Sequence, residues 1–110
     1  MFFTDVLGFK VVGNDPTYPA CFLSNKKIIE LWRVKNDEKR VAFNQSENVG
    51  LHHLALSVES IEKLSKLHKH LKCKNITIEF APKNLGKGHA RHMMIREPSG
   101  NRIEFIARPI

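Results

Sequence analysis

The sequence predicts an α+β chain built from two related halves, and three observations carry that prediction. Ile61, Leu64, Leu67 and Leu71 recur at helical spacing behind Ser60, a good helix N-cap. Most other segments are short, strand-like in composition, and several alternate apolar and polar residues. The two halves also close on similar strands, Ile28-Ile29-Glu30-Leu31 and Arg102-Ile103-Glu104-Phe105, each with a Glu between apolar neighbours.

In order, residues 2–7 read as the last turns of a helix, stopped by Gly8, which can take the left-handed conformation. Phe9 to Val12 is a short strand, and Gly13-Asn14-Asp15-Pro16 is a turn cluster. Tyr18 to Leu23 and Lys27 to Val34 are strands joined by a Ser24-Asn25 turn. In the second, Ile28, Glu30 and Trp32 share one face and Ile29 and Leu31 the other. Residues 35–49 are polar, a connector or a loop over a site. The strand 51–58 follows, with His53, Ala55 and Ser57 on one face and Leu54, Leu56 and Val58 on the other. The helix runs from Ser60 to about residue 73. Strands at 76–80, 89–96 and 102–107 complete the chain, with loops at 82–88 and 98–101 between them. In the last strand Arg102, Glu104 and Ile106 share a face.

The second half therefore reads strand, helix, strand, strand, strand, and the first reads helix, strand, strand, strand. His53 and Glu104 are 51 residues apart, and the same interval before Glu30 falls about twenty residues ahead of Met1. The first strand of the first half has no counterpart in this sequence. We read one domain, 1–110, of two modules, 1–48 and 49–110.

Composition narrows the function classes. A chain of 110 residues holds one modest core. It contains no run of about 18 apolar residues that would span a membrane, and its start lacks the features of a signal peptide. Cys21 and Cys73 stand far apart in no metal-like spacing, which predicts free thiols and a cytoplasmic setting. The net charge of +7 invites a nucleic-acid reading, but Lys63, Lys66, Lys69, Lys72 and Lys74 form the solvated face of the helix, with no interleaved aromatic residue. An anionic small substrate explains the charge balance at least as well, so no nucleic-acid and no membrane partner is expected.

Glu30, His53 and Glu104 carry the chemistry. A carboxylate inside an apolar strand must be paired, protonated or bound to a metal. A histidine flanked by small residues suits a ligand or catalytic role, although a packed, hydrogen-bonded histidine gives the same pattern. Together the three form an oxygen–nitrogen ligand set suited to Fe, Mn, Ni, Zn or Co with positions open for substrate, and unlike a closed structural zinc site.

Three motifs in order resemble the glyoxalase/bleomycin-resistance/dioxygenase superfamily, also called vicinal oxygen chelate. These are Phe2-Phe3-Thr4-Asp5-Val6-Leu7-Gly8-Phe9, Gly50-Leu51-His52-His53-Leu54-Ala55, and Glu97-Pro98-Ser99-Gly100-Asn101-Arg102-Ile103-Glu104. The resemblance covers nearly the whole chain. It implies two βαβββ modules forming a cupped mixed sheet around a divalent metal, with Glu30, His53 and Glu104 matching three of four ligands. The fourth, from the first strand of module one, has no counterpart here, so an empty or under-coordinated metal site is expected. A homodimer is expected as well, with the region around residues 1–12 and 27–34 close to the partner.

The resemblance favours a lactoylglutathione-lyase-like lyase or isomerase. Such an enzyme acts on a substrate with two adjacent oxygens through an enediolate, with Glu104 or Glu30 moving the proton. An extradiol dioxygenase usually shows a Tyr four residues before the hairpin proline, where this chain has Met94. A bleomycin-resistance-like binding protein lacks the metal ligands. Trp32, Arg91, Met93 and Arg102 are the expected substrate contacts. His52 is read as a packing histidine, and His89 and His92, of opposite facing, are read either as surface strand histidines or as one contact pointing into the cup.

Overall fold

Alternation and helical spacing become seven strands and one α-helix in a computed structural model that describes residues 1–18 and 20–108. Pro19, inside the expected strand 18–23, lies outside the described residues. The architecture is α+β with a three-stranded and a four-stranded sheet, as the repeat implied. The chain divides into two compact units, Met1–Val41 and Ala42–Ile110.

The first unit opens on a single π-type turn, Phe2–Val6, closed by Gly8 at φ +76°, a left-handed value that glycine adopts without a Cβ penalty. Phe2, Phe3 and Phe9 are buried and meet edge to face, with ring centroids 5.2 and 5.5 Å apart. Strands β1 (Lys10–Asn14), β2 (Ala20–Asn25) and β3 (Lys27–Trp32) form an antiparallel meander in that order. The β2–β3 reversal is tighter than the expected Ser24-Asn25 turn. Asn25 still pairs with Lys27, and the chain turns on Lys26 at φ +68°. β3 stands at the sheet edge and, among the described residues, no strand precedes the π-type turn. A short 3₁₀ turn, Asp37–Lys39, follows, capped by the Asn36 side chain, which accepts from Glu38 N.

The second unit contains β4 (Leu54–Val58), α1 (Ile61–Cys73), β5 (Thr77–Asn84), β6 (Arg91–Arg96) and β7 (Arg102–Ala107). The sheet order is β4-β7-β6-β5, with β4 parallel to β7 and the other pairs antiparallel. Ser60 caps α1 as the sequence predicts, its Oγ accepting from Lys63 N at 3.1 Å. Leu64 and Leu71 are fully buried, and α1 lies against all four strands. One sheet face carries Ile95, Met93, Ile103, Phe105 and Ala107, all buried. β5 runs four residues beyond the expected strand, through Pro82, which an edge strand tolerates because its outer N–H positions need no partner.

The Glu97–Asn101 turn explains why that motif pairs those two residues. Glu97 Oε1 accepts from both the backbone N and the Nδ2 of Asn101, each at 2.9 Å. Gly100 sits at φ +93°, a left-handed value again. This hairpin fixes the register Arg96↔Arg102, Met94↔Glu104 and His92↔Ile106.

Candidate functional site

Register decides which side chains meet. Cross-strand partners share a sheet face, so Glu104 stands with Ala55 on β4 and Met94 on β6. Arg102, Ile106, His92 and Arg96 share that face by period-two alternation. The strand β4 begins at Leu54, so His52 and His53 lie in the approach to it. Even so, His53 reaches the same face, and its Nε2 lies 3.2 Å from Glu104 Oε1. The other carboxylate oxygen of Glu104 meets His92 Nδ1 at 2.6 Å. Glu104 is buried, and His53 and His92 are largely so.

The pair continues into a polar chain. His53 Nδ1 lies 2.8 Å from His52 Nδ1, and Arg102 Nη1 lies 3.1 and 3.2 Å from the two ring nitrogens of His52. A guanidinium only donates and an ionised carboxylate only accepts, so Arg102 and Glu104 fix the two ends of this chain. Arg102 donates to the His52 ring, the two imidazoles meet Nδ1 to Nδ1, and His53 Nε2 faces the Glu104 carboxylate. His92 donates to Glu104 from the other side.

Arg102 also donates to Glu79 from Nε at 3.1 Å and Nη2 at 2.6 Å, and Arg96 approaches Glu79 at 3.0 Å. The hydrogen bond from Arg102, with both guanidinium charges adding, holds the Glu79 carboxyl below its ordinary value of 4.5. The segment expected to form a loop over a site folds onto Arg96, whose Nη2 donates to Gln45 Oε1 at 3.3 Å while Phe43 lies 5.9 Å below its guanidinium. Phe80 borders His92 edge to face at 4.9 Å and carries Lys83 Nζ 4.0 Å over its ring.

The remaining expected site residues are placed otherwise. Glu30 belongs to the first unit, on β3, where its carboxylate accepts from Trp32 Nε1. Arg91 and Met93 stand on the opposite face from Glu104, across from Ala107 and Phe105. Met93 is fully buried there, and Arg91 Nη2 donates to Pro82 O at 3.0 Å. Met94 is the methionine on the Glu104 face. His89 precedes β6 and is exposed, which leaves His92 as the histidine on the Glu104 face. Among the described residues, no three His, Cys, Asp or Glu side chains are gathered in an arrangement that would hold an ion. His92, His52 and Glu79 are the contacts the sequence reading did not place. The hairpin turn, counted outward as cross-strand pairs, was the signal for His92.

Comparison with known proteins agrees with this architecture. No curated protein matches the chain. An integron cassette protein from the mobile metagenome of the Halifax Harbour sewage outfall superposes with a TM-score of 0.75 at 24% identity, over 97% of this chain and 84% of its own. A lactoylglutathione lyase from Agrobacterium tumefaciens gives 0.72 at 20% identity, over 96% and 80%. TioX from Micromonospora sp. ML1 gives 0.68 at 13% identity, over 99% and 84%. At these identities the likeness is one of fold. The sequence profile of the glyoxalase/bleomycin resistance protein/dioxygenase superfamily matches residues 1–105, and the chain belongs to that superfamily.

Proposed function

We propose that this chain is a divalent-metal-dependent lyase or isomerase of the superfamily, acting on a small substrate with two adjacent oxygens. The observation that carries the proposal is the meeting of His53 Nε2 and Glu104 Oε1 at 3.2 Å on one sheet face. Two donors that share one ion at 2.0–2.2 Å lie about 3 Å apart, so the pair fits a common ion. The His92 contact on the other Glu104 oxygen is the kind of outer partner that orients a ligating carboxylate. Glu30 is the proposed third ligand, and Trp32 Nε1 would play the same orienting part for it.

When bound, the metal supplies positive charge for an enediolate-like anion and a template for two adjacent oxygens. The chain's own residues do the rest. Glu104 or Glu30 accepts the proton from one carbon and returns it to the next. Trp32 and Arg102 are the proposed substrate contacts. Arg102 is held by Glu79 and His52, so it acts from a fixed position. A homodimer and a cytoplasmic setting belong to the same proposal.

The test is metal uptake by the purified chain, titrated with Zn, Ni, Co, Mn and Fe in turn, beside a lactoylglutathione lyase assay. His53→Ala is expected to abolish uptake while leaving the fold intact, as circular dichroism would show. Unchanged metal content in that variant would remove His53 from the site. A folded wild-type chain that takes up none of these ions would move the protein to the small-molecule-binding class.

A further inference from the structure

The chain's single tyrosine and single tryptophan stand together at one end of the three-stranded sheet. Tyr18 and Trp32 meet edge to face, with ring centroids 5.3 Å apart. They remain 47% and 58% exposed, unusual for a paired aromatic contact in a small unit. They border an open cleft of about 440 Å³, within the usual range for small-molecule sites. Ala20 and Leu31 supply further apolar lining, and Asn14 and Arg33 the polar groups.

Charge and hydrogen bonding select the ligand. Among the described residues, Arg33 is the charged one that lines the cleft, and no carboxylate does. Among the described residues, no hydrogen bond or ion pair engages the Arg33 guanidinium, the Asn14 amide or the Tyr18 hydroxyl. The nearby Asp15 carboxylate is turned to Thr17, accepting from its N at 2.9 Å and its Oγ1 at 2.8 Å. The indole N–H of Trp32 is committed to Glu30, so Trp32 offers a ring face and no donor. An occupant of this cleft meets two aromatic surfaces and one uncommitted guanidinium, whose flat fork suits a carboxylate.

We propose that this cleft binds a planar aromatic carboxylate, its ring against Tyr18 and Trp32 and its carboxylate on Arg33. Trp32 is shared with the function proposed above, but no proposed metal ligand lines the cleft, and the test below reads binding at Arg33 with no metal present.

The test uses the two aromatic residues themselves, since intrinsic fluorescence comes mainly from this pair. The full chain is titrated with benzoate, with benzamide as the neutral isostere and acetate as the anion without a ring. Benzoate is expected to give a saturable change in Trp32 emission, with benzamide at least about tenfold weaker, the worth of one charge-assisted contact, and acetate weaker for want of the ring. Arg33→Gln should weaken benzoate by about tenfold, to the level of benzamide. Arg33→Lys should lie between, keeping the charge without the fork. Tyr18→Leu keeps the reporter and should weaken benzoate and benzamide alike. Arg33 and Tyr18 are exposed, so these variants should melt with the wild type. A linear, unsaturable response to benzoate, equal affinity for benzamide, or an unchanged affinity in Arg33→Gln would each overturn the proposal.

Discussion

Glu79→Gln tests the polar chain where it can be measured without any ligand. The carboxylate takes two hydrogen bonds from Arg102, at 3.1 and 2.6 Å, and an ion pair from Arg96 at 3.0 Å. A hydrogen bond to a charged group contributes about 1.5–3 kcal/mol when buried. The Glu79 side chain is 29% exposed, so solvent screens part of this, and glutamine keeps one accepting oxygen. The Arg102 side chain, at 9% exposure, finds little water in compensation. We expect a net loss of about 1–2 kcal/mol at neutral pH. The pH dependence has a definite sign, because the Glu79 carboxyl is held below 4.5 by Arg102. Its contribution is fully present above the unfolded value near 4.5 and is lost as pH falls through the lower folded value. Urea unfolding followed by helix ellipticity reports the correct unit, since α1 and Glu79 both lie in the second. The gap between wild type and variant should close on stepping from neutral to acid pH. A gap below about 0.5 kcal/mol at neutral pH, within ordinary surface scatter, would refute the reasoning, as would a gap that stays constant on acidification.

Three further outcomes are expected. Ser60→Ala removes the acceptor for Lys63 N and should cost about 1 kcal/mol in the same unfolding assay. Gly100→Ala forces a Cβ onto a residue at φ +93° in the β6–β7 hairpin and should cost about 1–2 kcal/mol, seen as a lowered urea midpoint. His92→Ala should weaken metal binding by about 10–100-fold in a chelator competition, leaving some uptake by His53 and Glu104.

The parts of the fold that were legible in the sequence are those set by local chemistry. Ser60, the helical spacing behind it, and the left-handed glycines at 8 and 100 each specify backbone within a few residues. Strand ends were less legible, because a ladder ends where its partner ends. β5 continues through Pro82 because β6 still pairs with it, down to Asn84↔Arg91. Hairpin geometry likewise overrode composition at Lys26, where Ser24 and Asn25 look the better turn residues but remain paired.

The meeting of His53 with Glu104 was legible for a different reason. Glu104 is placed by period-two alternation in β7, and His53, one residue ahead of β4, keeps the phase of Ala55, which pairs with Glu104. Arg91 and Met93 show where that reasoning failed. Their face depends on the pairing of β6 with β7, which the Glu97–Asn101 turn sets and which alternation within β6 alone does not reveal.

His52 and Glu79 were beyond reach because their roles arise only through Arg102. Every residue of β7 is buried, Arg102 and Glu104 included. Burying such groups is expensive, and apolar residues of similar volume often serve stability as well or better. Stability is therefore a poor explanation for a chain that runs from Glu79 through Arg102, His52 and His53 to Glu104. What the chain does supply is definition. With a donor fixed at Arg102 and acceptors fixed at Glu79 and Glu104, the imidazoles between them are held by contacts from both ends. His53, lying just outside a ladder that would otherwise hold it, is positioned by that network.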